Sequence, residues 1–406
     1  MHPDTMRLID RWVGIPLCFF ASFWPLKKAQ ADSNSTLATN IPPPDTIVFI
    51  LIAEIGALVV AYPAIKETRK QHPKSRICFI TAPAGFQTLV LMGFEKEDIF
   101  LLETTSIKSL LKGIVNIRSH FKGKRVSAIV LEPFTRFSTL LSAWIGASKR
   151  IGCYRFLNEG VYLGNILTHR LVYNPHLHMS QTYFALAKAL IEPDSAKPLL
   201  KEYIPSQIKN RLKINIPEKE RQTLMKRLQS ECPENPLKKI ILLNANTSDI
   251  VPLRKWPLEN FVELGKQLLE NPEFTVVLTG SPEEKDVCVD LALQINPDRV
   301  VNFAGKTSFK ELITLYSISD LLITNDSGPV HFASTTEIPI LALFGPGSTV
   351  DFGPMSPNAK VISLKLACSP CVSVFNQKKS SCDDNQCMKQ ISVQMVVKET
   401  QKILGK

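Results

Sequence analysis

The chain has 406 residues, of which 45% are hydrophobic and 21% charged, and its net charge is +11. This composition excludes an intrinsically disordered chain, and the length suffices for two domains with separate cores. The basic excess predicts an anionic partner such as a membrane surface or a phosphorylated glycan; no RNA-recognition, zinc-finger or basic-zipper pattern points to nucleic acid.

Residues 1–45 are predicted to be an N-terminal apolar segment followed by a linker. The run WVGIPLCFFASFW (12–24) is shorter than the roughly 20 apolar residues that a membrane span requires. Its terminal tryptophans and the following Lys27 and Lys28 favour a place in the membrane interface. The alternatives are a helix docked on the protein itself and, third, a cleaved signal peptide. Residues 29–45 are polar and proline-rich, as in a linker.

A first series of alternating strands and helices is predicted over residues 46–205. Unbroken apolar runs, typical of parallel strands covered on both faces, occur at 46–52, 76–80, 99–102 and 128–131. Gly56 predicts a tight turn after the first strand, and residues 57–70 predict a helix. The proline-punctuated stretch 206–238 is interpreted as the inter-domain region.

A second series fills residues 239–406. Strands are predicted at 239–244, 275–278, 300–303, 320–324 and 340–344, with helices at 258–270, 283–295 and 308–318 between them. Two such series predict an α/β protein with two Rossmann-like domains, whose ligands bind beyond the carboxyl ends of the strands.

Single cysteines in apolar or mixed surroundings favour a reducing compartment, and hence the cytoplasm. They are Cys78, Cys153, Cys232 and Cys288.

The segment LITNDSGPVHFA (322–333) is the strongest local signal of a binding site. A strand ends before Asp326 and Ser327, which are good N-cap residues, and Pro329 suits the first turn of a helix. Gly328 permits close approach of a ligand, and His331 follows one turn later. The free amides and dipole of such a helix start favour an anion such as a diphosphate, although an ordinary capped helix has the same pattern.

Three further segments carry polar groups at predicted strand ends. A glycine-rich turn follows the strand at 340–344. Thr247 and Ser248, with Arg254 and Lys255, are predicted to contact the phosphates from another side; a charged surface loop is the alternative. Gly280 and Glu284 follow the strand at 275–278, where the carboxylate either binds ribose hydroxyls or favours the helix dipole.

The pattern NDSGPxHxA followed by PxxxLFGP, over residues 325–346, resembles the signature of glycosyltransferase family 9, the lipopolysaccharide heptosyltransferases. Lys255-Trp256-Pro257, Thr279-Gly280-Ser281 and residues 56–65 resemble that family in order and spacing, so the resemblance runs from about residue 46 to the end. It implies a GT-B architecture with two Rossmann-like domains facing a central cleft. The first would bind the acceptor and the second the nucleotide sugar.

The resemblance also implies inverting transfer of a sugar, heptose from ADP-heptose, without an obligatory cofactor. In the first domain, Gly56 and Arg136 are the predicted acceptor contacts. The acceptor would be an anionic, lipid-linked glycan of the lipopolysaccharide type, so the protein would be cytoplasmic and peripheral on the inner membrane.

One departure from the family pattern concerns the general base. The family usually has Asp after the glycine of the first turn, whereas this chain has Ala57. Glu54 is the nearest carboxylate on the loop and is the candidate replacement. The alternatives are a catalytically impaired protein that still binds the nucleotide sugar, and a nucleotide-sugar epimerase on the same architecture.

Four cysteines near the C-terminus have spacings that suit a structural zinc site. They are Cys368, Cys371, Cys382 and Cys387, and free thiols or disulfides are the alternatives.

Overall fold

Two compact units make up the protein. The structure is a computed structural model that describes residues 3–23, 43–193, 197–232, 236–247 and 251–405. The first unit extends to Asn210 and also includes residues 374–377, and the second contains residues 211–373 and those from Lys378 onward. The stretch 206–238, predicted to lie between domains, therefore contributes a helix to the second unit.

Helices and strands alternate through the first unit. Their bounds are α1 (Pro3–Trp12), α2 (Gly14–Ala21), β1 (Thr46–Ile50), α3 (Ile55–Val60), α4 (Tyr62–Gln71), β2 (Arg76–Thr81), α5 (Phe86–Leu91), β3 (Ile99–Leu101), α6 (Ile107–Phe121), β4 (Val126–Val130), α7 (Arg136–Trp144), β5 (Lys149–Cys153), β6 (His169–Leu171) and α8 (Met179–Lys188).

The strands of the first unit form a parallel sheet in the order β3-β2-β1-β4-β5-β6. β1 is central and buried along its whole length, as its unbroken apolar sequence predicts. Helices α6 and α7 cover one face, where Phe121 and Leu141 pack with Val48 and Ile80 of the sheet. The chain reverses its direction of winding between β1 and β4, which makes the carboxyl ends of these two strands the expected ligand position.

The second unit has the same alternation. Its bounds are α9 (Glu218–Ser230), β7 (Lys239–Asn244), α10 (Leu258–Leu269), β8 (Phe274–Leu278), α11 (Lys285–Ile295), β9 (Val300–Asn302), α12 (Phe309–Ile318), β10 (Leu321–Asn325), α13 (Gly328–Ala333), β11 (Ile340–Leu343), α14 (Thr349–Phe352), β12 (Ala359–Ile362), α15 (Gln386–Lys389) and α16 (Val393–Leu404).

The second sheet is also parallel, in the order β12-β11-β10-β7-β8-β9. It repeats the strand order of the first, with its reversal of winding between β7 and β10. Trp256 and Phe261 are fully buried in its core, and their rings meet edge to face. The predicted α/β class with two Rossmann-like domains is therefore confirmed.

The first sheet contains two strands that the sequence pattern does not predict. β5 starts with Lys149 and Arg150, and the three-residue β6 contains a histidine and an arginine, so neither has an apolar run. The predicted helix 57–70 is two helices, because α3 ends at Val60 and α4 starts at Tyr62, with Pro63 in its first turn. Gly56 does not form a turn: it is the second residue of α3.

Among the residues that the structure describes, no helix is long and apolar enough to cross a membrane.

Candidate functional site

The ends of β7 and β10 in the second unit are joined by a buried asparagine. Asn325 donates from Nδ2 to the carbonyl oxygen of Ala245 at 2.9 Å, and its Oδ1 accepts from the amide of Trp256 at 3.1 Å. Its side chain is fully buried. Asn325 thus fixes the loop after β7 and the segment 254–257 at the point where a Rossmann sheet binds its ligand. The sequence places Asn325 in the motif at 322–333 but does not indicate this role.

Three predicted segments meet beside this asparagine. Arg254 Nε lies 3.1 Å from Asp326 Oδ2, and both side chains are largely buried. Gly347, in the turn after β11, is packed so closely that a Cβ there would overlap Asp326 Oδ2. The ion pair holds the guanidinium at the carboxyl end of the sheet. The remaining N–H donors of the guanidinium there suit phosphate oxygens.

The start of α13 matches the predicted helix start. Ser327 occupies the N-cap position, but its hydroxyl donates to the carbonyl oxygen of Asn325 at 3.2 Å instead of capping the helix. Gly328 and Pro329 form the first turn. Pro329 has no N–H and the amide of Val330 donates to the carbonyl oxygen of Ser327 at 3.2 Å, so Gly328 carries the amide of this turn that can meet a ligand. His331 lies in the same helix and is mostly buried.

Trp256 anchors the segment that carries Arg254 and Lys255. Its indole Nε1 donates to the carbonyl oxygen of Ile391 at 2.8 Å, and the side chain has no exposed surface. Asn385 donates from Nδ2 to the carbonyl oxygen of Lys255 at 3.1 Å. These bonds position two cations on a rigid support.

In the turn after β8, the carboxylate of Glu284 caps the start of a helix, which is the structural alternative to ribose binding. Glu284 Oε2 accepts from the amide of Ser281 at 2.7 Å, as in a capping box. A Cβ at Gly280 would lie 3.1 Å from the same Oε2, so this turn is tightly packed. Thr247 is buried after β7, whereas Ser248 lies outside the described residues. Sugar binding by Glu284 remains a prediction.

The carboxylate of Glu132 lies at the carboxyl ends of β1 and β4 in the first unit. Glu132 Oε1 accepts from the amides of Ile52 and Ala53 at 2.9 and 2.7 Å, and Oε2 accepts from the hydroxyl of Ser138. Burial raises the pKa of Glu132 and the charge of Glu54 adds to this, while the three hydrogen bonds oppose it. Glu132 therefore holds the loop on which Glu54 lies.

Glu132 is not among the predicted site residues, although its position in the sequence could have indicated it. It directly follows the predicted strand at 128–131, and polar ligand contacts are expected at the carboxyl end of such a strand. Glu54 is the N-cap residue of α3, and Ala57 is buried inside that helix. No carboxylate therefore occupies the family's usual position.

Arg136 takes part in a buried anchor. Its Nη1 lies 2.8 Å from Asp10 Oδ2, its Nε donates to the carbonyl oxygen of Tyr162 at 3.0 Å, and the side chain is 6% exposed. The guanidinium thus fastens α1 to the first unit. Acceptor binding by Arg136 remains a prediction, and these contacts assign it a structural task.

None of the four C-terminal cysteines forms a disulfide in the described part of the chain. Burial raises the pKa of Cys387, and the neighbouring Cys371, Cys382 and Cys368 add to the rise. No group of three or more His, Cys, Asp or Glu side chains has a metal-binding arrangement within the described ranges. A structural zinc at these four cysteines therefore stays a prediction.

Two Rossmann-type units with the same parallel strand order define a protein of the GT-B fold class. Solved structures of this kind are similar in fold. The Escherichia coli ADP-heptose lipopolysaccharide heptosyltransferase II has a TM-score of 0.65 and 20% identity, over 88% of this chain and 98% of that one. A glycosyl transferase family 9 structure from Veillonella parvula has a TM-score of 0.65 and 21% identity, over 89% and 97%.

The family profile described as glycosyltransferase family 9 (heptosyltransferase) matches residues 127–381, and this chain belongs to that family. It is 31% identical over 178 residues to lipooligosaccharide heptosyltransferase 2 of Campylobacter jejuni, covering 42% of this chain and 54% of the relative. It is 34% identical over 116 residues to lipopolysaccharide heptosyltransferase 2 of Salmonella typhimurium, covering 28% and 33%. In these pairings the chain spans about half the length of the curated relatives or less.

Proposed function

We propose that this protein is an inverting glycosyltransferase that moves heptose from ADP-heptose onto an anionic, lipid-linked glycan of the lipopolysaccharide type. The family profile and the names of the relatives, which are heptosyltransferases, support this activity. The reaction needs no obligatory cofactor in this proposal. The protein would act in the cytoplasm as a peripheral protein of the inner membrane.

The convergence of Arg254, Asp326 and Gly347 at the edge of the second sheet is the observation that supports this proposal most directly. In the proposal, the Gly328 amide at the start of α13 and the cations Arg254 and Lys255 bind the diphosphate of the donor. Thr247, Ser248 and His331 complete the donor contacts. The fixed cations and this amide stabilise the negative charge that builds on the leaving diphosphate.

Glu54 is the proposed general base. It lies on the loop whose backbone amides, those of Ile52 and Ala53, donate to Glu132. A carboxylate in this role removes the proton of the attacking acceptor hydroxyl. Ala57 supports a second candidate function, a family member that binds the nucleotide sugar but no longer transfers it. The family match does not favour the third alternative, an epimerase.

Incubating the protein with ADP-heptose, with and without a lipid-linked acceptor, separates these functions. Heptosylated acceptor and released ADP, detected by mass spectrometry, are expected for the transferase, and Glu54→Gln should abolish them. Donor binding without turnover, with transfer restored by Ala57→Asp, would support the second candidate. Isomerised nucleotide sugar without acceptor would indicate an epimerase.

The proposed structural zinc has a separate test. Elemental analysis of protein purified without chelator should find about one zinc per chain if the four cysteines bind it. Protein that is metal-free and keeps its melting temperature in chelator would leave the cysteines as free thiols.

A further inference from the structure

The helical pair α1–α2 exposes much apolar surface. Of the residues in α2, only Gly14 and Cys18 are buried, although the helix contains no charged residue. Large apolar side chains of the pair and its ends are 39–74% exposed. They are Leu8, Trp12, Val13, Ile15, Leu17, Phe19, Phe20 and Phe23. A helix that is apolar on all sides is normally covered on all sides. An exposed apolar surface of this kind therefore indicates a binding surface.

The pair is fixed to the first unit. Asp10 pairs with the buried Arg136 at 2.8 Å, and its Oδ1 accepts from the amide of Phe137 at 3.2 Å. At the other end, Ser22 Oγ accepts from the amide of Asn165 at 2.8 Å. The exposed apolar side is therefore presented on a rigid body.

The first unit also carries nearly all of the net positive charge. Residues 1–210 contain 25 Lys and Arg against 15 Asp and Glu, whereas the rest of the chain contains 23 against 22. Helix α6 has no acidic residue and exposes Lys108, Lys112 and Arg118. An anionic partner therefore suits this unit, and an apolar patch on a basic body suits an anionic lipid surface.

The dimensions of α2 decide how it meets lipid. Eight helical residues extend about 12 Å, far less than the roughly 30 Å of a bilayer core. Exposed aromatic rings, with Arg11 before them and Lys27 and Lys28 after them in the sequence, are typical of a segment lying in the interface.

We propose that α1–α2 inserts its exposed apolar side chains into the headgroup region of an anionic bilayer, with the Asp10–Arg136 pair fastening the first unit to the inserted helices. The lipid contact deepens the proposed function, because it would bring the first unit to a lipid-linked acceptor. It does not depend on the chemistry of transfer.

Sedimentation of the full chain with vesicles tests this proposal. The vesicles contain equal parts of phosphatidylethanolamine and phosphatidylglycerol. Leu17→Ser/Phe20→Ser/Phe23→Ser should lower the partition coefficient by roughly ten-fold or more, because the inserted apolar area is lost. The matched control Val289→Ser/Leu293→Ser removes exposed apolar side chains from α11 of the second unit and should leave binding unchanged. Equal melting temperatures would show that both variants are folded.

The charge contribution has its own variant. Arg11→Gln/Lys27→Gln/Lys28→Gln should weaken binding to these vesicles by about five-fold per charge removed, and should have little effect with phosphatidylcholine vesicles.

Three results would overturn the proposal. The first is vesicle binding by the serine variant equal to that of the natural chain, and the second is no vesicle binding by the natural chain. The third is a dimer by light scattering that the serine substitutions convert to monomer without changing lipid binding, because the apolar face would then join two copies. Heptosyl transfer to a soluble acceptor fragment, measured in parallel, tests the proposed function separately, since lipid contact is not needed there.

Discussion

Glu132 is a residue whose burial should make stability depend on pH. Its pKa is raised in the folded protein, chiefly by burial. The folded state therefore holds more protons than the unfolded state between the ordinary value of 4.5 and the raised one. This contribution to the free energy of unfolding is present below the ordinary pKa and is lost as pH rises through the raised pKa. Glu132→Gln should remove that loss, as measured by urea unfolding across pH.

Glu159 provides a matched control for this prediction. It also accepts two backbone amides, from Phe156 at 2.9 Å and Leu157 at 2.6 Å, but it is close to solvent and these bonds lower its pKa. Glu159→Gln should therefore remove a contribution that is present above the ordinary pKa and lost as pH falls. Equal pH slopes for the two variants would contradict the role of burial at Glu132.

Gly347 is the residue that lets the Arg254–Asp326 pair form against the β11 turn. A Cβ would overlap Asp326 Oδ2, so Gly347→Ala should displace the carboxylate and, with it, Arg254. We expect ADP affinity to fall about ten-fold or more by calorimetry, a loss of about 1.4 kcal/mol. In the control Gly113→Ala, the new methyl group meets only the movable Cδ1 of Leu102. Unchanged ADP binding by Gly347→Ala would show that the Arg254–Asp326 pair is not part of the donor site.

At the scale of elements, the segment 252–257 depends on the Trp256 anchor. Trp256→Phe removes the bond to the Ile391 carbonyl oxygen and leaves a buried acceptor unpaired beside a cavity. We expect the free energy of unfolding to fall by roughly 2 kcal/mol and ADP affinity to fall with it, because Arg254 loses its support. Chemical unfolding and calorimetry measure the two effects.

Trp144 provides the comparison for this element. Its indole also donates to a carbonyl oxygen, that of Ile114 at 3.3 Å, but the ring is 47% exposed. Water can replace that bond, so Trp144→Phe should change stability by well under 1 kcal/mol. Equal losses in the two variants would show that burial of Trp256 is not the cause.

The elements themselves differ in how far the sequence predicts them. Central strands such as β1 and β7 are buried on both faces, so their unbroken apolar runs predict them to within two residues. Strand β12 lies at a sheet edge with Lys360 exposed, so its sequence lacks that pattern. The Arg254–Asp326 pair joins residues 72 positions apart, and local patterns do not predict such a contact.

The same limit explains what the sequence misses in the first unit. The contact between Glu132 and the amides of Ile52 and Ala53 exists because β4 is the neighbour of β1, and only the strand order reveals this. Arg136 follows a strand end and therefore has the local pattern of a ligand contact. Its partner Asp10 lies in a helix more than one hundred residues earlier, which no local pattern connects to it.

At the scale of the whole molecule, net charge is distributed unevenly between the two units, and this bears on which unit binds which proposed substrate. The first unit has a large positive excess, whereas the second is almost neutral. In the proposal, the anionic acceptor binds the first unit and ADP-heptose binds the second. Exposed charges attract through solvent and are screened within a Debye length of about 10 Å at 0.1 M salt. A sheltered pair such as Arg254–Asp326 is screened much less.

This difference predicts that salt acts on the two substrates unequally. Between about 0.05 and 0.3 M salt, the KM for the anionic acceptor should rise several-fold, while the KM for ADP-heptose should change by less than about two-fold. Steady-state kinetics with a soluble acceptor fragment, which removes any effect of lipid, measures both values. Lys108→Gln/Lys112→Gln should reduce the salt slope for the acceptor, because these side chains are exposed cations of α6. Equal salt slopes for the two substrates would contradict the assignment of the acceptor to the basic unit.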